Sequence, residues 1–122
     1  MSNRFKSLTK KEIIALTEYK NLLLNKFPRR FKMLILFGSK ARGKSNRASD
    51  LDLLVVVSKN GKRISKEIVT LTHQPIAKYM VDISPIVVEE RFFKKWSPLL
   101  EHIKKDGVIV WTGKKVKKNI LS

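Results

Sequence analysis

Three aspartates lie in or beside short apolar stretches of the sequence. Burial of a carboxylate there costs desolvation energy unless a cation or metal ion pairs with it. Asp50 and Asp52 flank the start of the apolar run 51–57, and Asp82 lies within the run 80–88. Side chains two residues apart on a strand point to the same face, about 6.5–7 Å from each other. Asp50 and Asp52 are therefore expected to face the same way, as ligands of a hard divalent cation such as Mg²⁺ do. The alternative is a turn or capping aspartate followed by an unrelated strand aspartate.

Asp82 is the third candidate ligand. An isolated aspartate inside an apolar strand would be an expensive buried charge. If its strand lies beside the strand of Asp52, the three carboxylates form a site for one or two metal ions. Two metal ions a few ångströms apart stabilise both the attacking and the leaving oxygen of a phosphoryl group. The alternative for Asp82 is a salt bridge to one of the many lysines.

A glycine–serine pair, Gly38-Ser39, directly follows another apolar run and has the character of a phosphate-binding turn. Glycine permits a tight turn and a close approach of the backbone to a ligand. The helix that follows offers backbone N–H groups suited to a phosphate. Lys40 and Arg42 add positive charge here, although either side chain would also be ordinary as a solvated surface residue. The sequence thus places a phosphate site next to a metal site.

The order Gly38-Ser39, ten residues, Asp50-Leu51-Asp52 resembles the signature of the DNA polymerase beta-like nucleotidyltransferase superfamily, and in particular of its minimal nucleotidyltransferase branch. Asp82 matches the third carboxylate of that family, and the similarity covers roughly residues 10–111. The resemblance implies an α/β (α+β) fold, in which a small mixed β-sheet is flanked by helices.

The resemblance also implies an activity, in which a nucleotidyl group, most often AMP from ATP, passes to an acceptor hydroxyl with the help of two Mg²⁺ ions. The implied catalytic and metal-binding residues are Asp50, Asp52 and Asp82. The implied nucleotide-binding residues are Gly38, Ser39, Arg42 and Lys40. A partner would supply the acceptor, and the branch implies a HEPN-type toxin for which this chain is the antitoxin. A non-catalytic module that neutralises such a toxin by contact alone is the alternative.

Length and composition fit a single domain over residues 1–122, with a core at about 10–111 and a basic tail at 112–122. Cysteine is absent, which excludes disulfides, zinc–thiolate sites and cysteine nucleophiles. No apolar run reaches the roughly 18 residues that a bilayer span requires, and no signal-peptide core follows the basic N-terminus. We therefore expect a cytoplasmic protein without a membrane partner.

The net charge is +17, from 27 basic and 10 acidic residues. Such a charge attracts polyanions, so an RNA contact could accompany catalysis. A purely nucleic-acid-binding protein is a further alternative, but it offers no reason for three aspartates in apolar runs. The two histidines lack a ligand pattern and are expected to be structural.

Hydrophobic periodicity predicts helices that alternate with strands. The first helix spans Thr9 to Lys26 and begins with a capping box formed by Thr9 and Glu12. Pro75 is expected to disturb the last turns of the second long helix, and Pro85 makes an interior strand position unfavourable. The remaining predicted helices are 40–44, 63–79, 89–95 and 98–106, and the predicted strands are 32–37, 51–57, 80–88 and 108–111.

Overall fold

The computed structural model describes residues 8–42, 50–93 and 98–113. Helices and strands alternate along these residues as the periodicity predicts. In chain order the elements are α1 (Lys10–Lys26), β1 (Phe31–Phe37), α2 (Ser39–Arg42), β2 (Leu51–Val57), α3 (Gly61–Thr70), α4 (His73–Tyr79), β3 (Ile83–Glu89), α5 (Glu90–Phe93), α6 (Pro98–Asp106) and β4 (Val108–Thr112).

The four strands form one mixed sheet in the order β3-β2-β1-β4. Strand β1 is antiparallel to β2 and to β4, whereas β2 and β3 are parallel. The predicted α/β (α+β) class with a small mixed sheet is therefore confirmed. Pro85 lies in β3, opposite Leu53 of β2, and β3 is an edge strand. An edge strand tolerates proline because the missing N–H is not needed by a further strand.

Helices cover both faces of the sheet. On one face, α1 and α3 pack against the sheet through residues such as Tyr19, Leu23 and Ile68. On the other face, α5 and α6 contribute Phe93 and Ile103. Successive residues of a strand point to opposite faces, so both faces of the central strands β1 and β2 are apolar. This burial on two sides explains why their sequences read as nearly continuous apolar runs.

The start of α1 confirms the predicted capping box. Thr9 accepts a hydrogen bond on its hydroxyl from the backbone N–H of Glu12 at 3.1 Å. The Glu12 carboxylate in turn accepts from the backbone N–H of Thr9 at 2.8 Å. Both exchanges satisfy N–H groups that the first turn of a helix leaves without a partner.

The segment 63–79, predicted as one helix, is two helices. The chain breaks at Thr72, whose hydroxyl donates to the backbone carbonyl of Val69 at 2.6 Å. Such a local bond competes with helical hydrogen bonding. The predicted disturbance of the last turns is present, because Pro75 has no N–H to donate to the carbonyl of Leu71 and its ring would clash with that carbonyl in a continuous helix; Pro75 is instead the third residue of α4. In the first turn of a helix the N–H that proline lacks has no partner to lose.

Smaller differences concern element ends. Strand β3 begins at Ile83 rather than Met80, since Met80 adopts a left-handed conformation with φ 57° and ends α4. Strand β4 extends to Thr112, one residue beyond the prediction. Along the described residues, no helix combines the length and apolarity of a membrane span. Most of the predicted tail, residues 114–122, lies outside the described residues, as does the predicted loop at 43–49.

Candidate active site

Gly38 and Asp52 lie against each other at one corner of the sheet. Strand β1 ends at Phe37, which is the cross-strand neighbour of Asp52 at the start of β2. Gly38 follows with a φ of 77°, a left-handed conformation that other residues rarely adopt. A β-carbon placed on Gly38 would stand only 2.5 Å from Oδ2 of Asp52. Only glycine fits here, both because of its backbone angle and because the Asp52 carboxylate occupies the space.

The turn out of Gly38 leads directly into α2. The backbone N–H of Ala41 donates to the carbonyl of Gly38 at 3.1 Å, which closes the turn. Helix α2 starts at Ser39, one residue before the predicted start at Lys40. The side chains of Ser39 and Arg42 lie outside the described residues, so their phosphate-binding roles stay predictions.

Asp82 reaches the same corner because β3 pairs with β2. The parallel register places Ile83 opposite Leu51, one residue after Asp82 and Asp50 respectively. The backbone N–H of Leu51 donates to the carbonyl of Asp82 at 2.9 Å. The strand adjacency that the sequence argument required is therefore present, and the backbones of all three aspartates share one corner.

The surroundings of the aspartates differ from those predicted. Asp82 is not inside an apolar strand: it precedes β3 and is exposed, as is Asp50, whereas Asp52 is half-buried. Solvent therefore stabilises the charge of Asp82, and the expected burial cost does not arise. Among the described residues, no group of three or more His, Cys, Asp or Glu side chains stands ready as a metal-ligand set. The metal-binding roles of the three aspartates remain predictions.

Lys40 lies inside the protein. Its ammonium is 2.6 Å from the Glu12 carboxylate, and the two side chains are only 4% and 9% exposed. The other oxygen of Glu12 closes the capping box of α1 with Thr9. Lys40 therefore ties α2, and with it the Gly38 turn, to the start of α1. The nucleotide-binding role that the resemblance implies for Lys40 stays a prediction, whereas its alternative, a solvated surface residue, is excluded because the side chain is buried.

Sequence reasoning recognised only the capping role of Glu12. A second signal was available, because Glu12 precedes Ala15, Leu16 and Tyr19 by three, four and seven residues. That spacing places Glu12 on the inward stripe of α1, where an acidic side chain needs a cationic partner. The partner could not be identified from the sequence, since Lys40 is one of many basic residues.

Comparison with known proteins identifies the family to which a chain with this glycine turn and these aspartates belongs. Residues 16–121 match the family model described as the nucleotidyltransferase domain. The chain belongs to this nucleotidyltransferase family. The matched range includes the Gly38 turn and all three aspartates, so the resemblance predicted from these motifs is confirmed. The protein is accordingly a nucleotidyltransferase enzyme.

One relative of this nucleotidyltransferase comes from Methanocaldococcus jannaschii and is named a putative protein adenylyltransferase. The two sequences are 38% identical over 86 residues, which cover 68% of this chain and 82% of the relative.

Two solved structures share the fold, and both are described as toxin–antitoxin structures. A variant of the toxin–antitoxin MntA-HpeT superposes with a TM-score of 0.56 at 21% identity, covering 86% of this chain and 74% of that chain. A toxin–antitoxin structure with AMP-PNP gives a TM-score of 0.53 at 21% identity, covering 77% and 71%.

Proposed function

We propose that this nucleotidyltransferase transfers AMP from ATP to a hydroxyl group of a protein partner, in a Mg²⁺-dependent reaction in the cytoplasm. The observation that carries the proposal is the contact between the Gly38 turn and the Asp52 carboxylate. It places a backbone suited to phosphates beside a ligand suited to the cation that accompanies them. The adenylyltransferase name of the archaeal relative and the AMP-PNP bound in a structure of the same fold support ATP as the donor.

The donor groups at this corner fit Mg²⁺. Asp50, Asp52 and Asp82 offer carboxylate oxygens, which are the ligands that hard divalent cations prefer. Magnesium commonly takes one or two protein carboxylates and completes its shell with water and substrate phosphates. Exposed Asp50 and Asp82 can therefore turn towards an incoming Mg²⁺–triphosphate without a large cost in desolvation. Bound Mg²⁺ would neutralise the negative charge of the triphosphate.

The chain's own residues supply positioning and proton transfer. The backbone at Gly38 and Ser39 holds the β- and γ-phosphates, so that the α-phosphorus lies towards the carboxylates. Asp82 accepts the proton of the acceptor hydroxyl as its oxygen forms a bond to the α-phosphorus. The bond from the α-phosphorus to the bridging oxygen breaks, and pyrophosphate leaves with the electron pair. Catalysis of this kind depends mainly on positioning and on electrostatic stabilisation.

The acceptor is proposed to belong to a HEPN-type toxin that this chain neutralises as an antitoxin. Two solved structures that share the fold are described as toxin–antitoxin structures, which supports such a pairing. In this setting adenylylation of the partner is the neutralising event, and the nucleotidyltransferase is the modifying subunit.

The test is label transfer from ATP that carries ³²P in the α-phosphate, with Mg²⁺ and the product of the neighbouring reading frame as acceptor. Label should appear on the acceptor protein with the wild type and fall at least about a hundredfold with Asp52→Asn, since transition-state charge is then poorly stabilised. The matched control is Glu67→Gln on α3, whose side chain is 57% exposed in a loose ion pair with Lys26. Glu67→Gln should keep full activity.

The alternative function, neutralisation by contact alone, predicts a different outcome. Wild type and Asp52→Asn would then rescue growth from the toxin equally well, and no label would reach the toxin. That result would overturn the catalytic proposal.

A further inference from the structure

We propose that the end of the sheet opposite the active-site corner is a docking surface for single-stranded RNA. The surface consists of a basic pole, defined as Arg29, Arg30, Lys59, Lys62 and Arg63, together with the neighbouring ring of Phe92. This inference does not depend on the proposed acceptor or on catalysis.

The basic pole brings together cations from separate parts of the chain. The turn at 28–30 precedes β1, and its Arg30 carbonyl accepts a hydrogen bond from the backbone N–H of Ser58 at 2.9 Å. That bond places Arg29 and Arg30 beside the loop that follows β2 and carries Lys59. The loop continues into the first turn of α3, which contributes Lys62 and Arg63. Four of the five side chains are exposed and Arg30 is half-buried.

Two carboxylates near the basic pole form ion pairs with cations outside it. Glu67 of α3 pairs with Lys26 at 3.8 Å. Glu89 accepts from the backbone N–H of Gly61 at 3.0 Å and pairs with Arg91 at 2.8 Å. Neither of these two ion pairs therefore neutralises a cation of the basic pole. A concentration of cations of this kind attracts a phosphate backbone, and binding is driven by release of the counterions that surround it.

Phe92 adds a stacking surface next to the cations. Its side chain is 44% exposed, which is unusual for a large aromatic residue. Phe92, Lys62 and Ser65 line an open cleft of about 350 Å³, which Glu89 also lines while it pairs with Arg91. The guanidinium of Arg91 lies 4.7 Å from the Phe92 ring centroid. Proteins that bind single strands combine a basic groove with exposed aromatic rings on which unpaired bases stack.

This combination favours a single strand over the other polyanions. A duplex holds its bases inside the stack, so it would use the cations but not Phe92. An acidic protein segment would also use the cations, but it has no flat base to place in the cleft beside the ring. The basic pole lies about 20 Å from Asp52, the length of β2. RNA could therefore remain bound while the active-site corner holds a nucleotide.

The test measures the fluorescence anisotropy of a labelled oligouridine of about 12 nucleotides over a range of KCl concentrations. The triple variant Lys59→Ala/Lys62→Ala/Arg63→Ala should lower the slope of log affinity against log salt by about 2, since each contacted phosphate of a single strand contributes about 0.7. The matched control, Lys10→Ala/Lys11→Ala/Lys20→Ala on α1, removes the same charge elsewhere and should leave the slope nearly unchanged.

The stacking role has its own pair of variants. Phe92→Ala should weaken RNA binding about 5- to 150-fold, which corresponds to the loss of one base stacked on an aromatic ring. Ile14→Ala on α1 removes another exposed apolar side chain, 48% exposed, and should have no effect. Thermal melts of all variants verify folding, and these exposed positions should leave the melting temperature within a few degrees of the wild type.

Equal slopes for the two triple variants would overturn the proposal, since net charge alone would then explain binding. Unchanged binding by Phe92→Ala, or displacement of the RNA by a Glu-rich peptide as effectively as by unlabelled RNA, would also overturn it in favour of an acidic partner. Asp52→Asn should bind the RNA as the wild type does. Failure of RNA binding is thus distinguishable from failure of the proposed transfer activity.

Discussion

At the scale of single residues, the active-site corner depends on the absence of one β-carbon. Gly38 combines a positive φ with a carboxylate oxygen in the position that any larger side chain would need. The two constraints have separate costs, since an alanine would strain the backbone and also push Asp52 away. Asp52 could be anticipated from its spacing to Asp50, whereas its contact with Gly38 follows only from the pairing of β1 with β2.

We expect Gly38→Ala to lower the free energy of unfolding by about 1–3 kcal/mol, the usual cost of a residue held in an unfavourable backbone conformation. Transfer activity should fall further than stability explains, because the displaced Asp52 no longer faces the phosphate turn. Urea denaturation and the label-transfer assay provide the two measurements. Gly113→Ala is the matched control, since Gly113 does not have a left-handed φ and a β-carbon there would meet the edge of the Trp111 ring at 3.1 Å and the Lys32 carbonyl oxygen at 3.9 Å. Equal activity of both variants would contradict this role of Gly38.

At the scale of elements, the buried ion pair between Glu12 and Lys40 connects α1 to α2. Glu12→Gln should destabilise the protein by about 3–5 kcal/mol, because the buried Lys40 ammonium would lose the Glu12 carboxylate that lies 2.6 Å from it. The double variant Glu12→Gln/Lys40→Met should recover most of this loss, since glutamine can still serve the capping box and methionine fills the apolar space. A double-mutant cycle from urea denaturation measures the coupling. Additive losses would show that the two side chains act independently.

Another link between elements joins the end of β3 to the start of α3. The Gly61 N–H that bonds to Glu89, with Arg91 acting in the same direction, lowers the pKa of the Glu89 carboxyl below its ordinary value of 4.5. A lowered pKa in the folded state stabilises the protein above the ordinary value, and this contribution is lost as the pH falls through the lowered one. Glu89→Gln should therefore make the free energy of unfolding less sensitive to pH between neutral pH and the acid range below 4.5. Acid titrations of Glu89→Gln and of the exposed control Glu101→Gln test this, and identical curves for the two variants would contradict it.

Helices and strands could be predicted from the sequence where capping residues or apolar runs determine their position. The capping residues of α1 and the apolar runs of β1 and β2 identify these elements almost to the residue, because burial on both faces leaves little choice of side chain. The exact position of the break, at Thr72, was not predicted, since helical periodicity continues on both sides and Pro75 alone does not determine the residue at which the first helix ends. The burial of Lys40 was also missed, because it depends on a contact between residues 28 positions apart.

At the scale of the whole molecule, the aspartates gather at one end of the sheet and a basic surface lies at the other. Asp50 and Asp82 are exposed before substrate arrives, so the cation site is expected to form fully only with a triphosphate. We therefore expect MgCl₂ alone to raise the melting temperature only slightly and Mg²⁺ with ATP to raise it clearly. At a ligand concentration of about 100 Kd the gain is roughly 2.7 kcal/mol. Differential scanning fluorimetry measures both shifts, and the ATP-dependent shift should vanish in Asp52→Asn. If Asp52→Asn showed the same ATP-dependent rise in melting temperature as the wild type, Asp52 would not be needed for nucleotide binding.

The parallel register between β2 and β3 has a consequence for how such a protein can change. The hydrogen bond from the Leu51 N–H to the Asp82 carbonyl joins the two strands directly. The register of β3 against β2 is therefore set by this pairing and not by the length of the helical connection between the strands. Insertions in the exposed loop at 59–60 should consequently be tolerated, whereas an insertion between Asp82 and Ile83 would shift the Asp82 side chain to the opposite side of the strand. Lineages that diverge from this chain are thus free to vary in length at that loop, while Asp82 stays directly before β3.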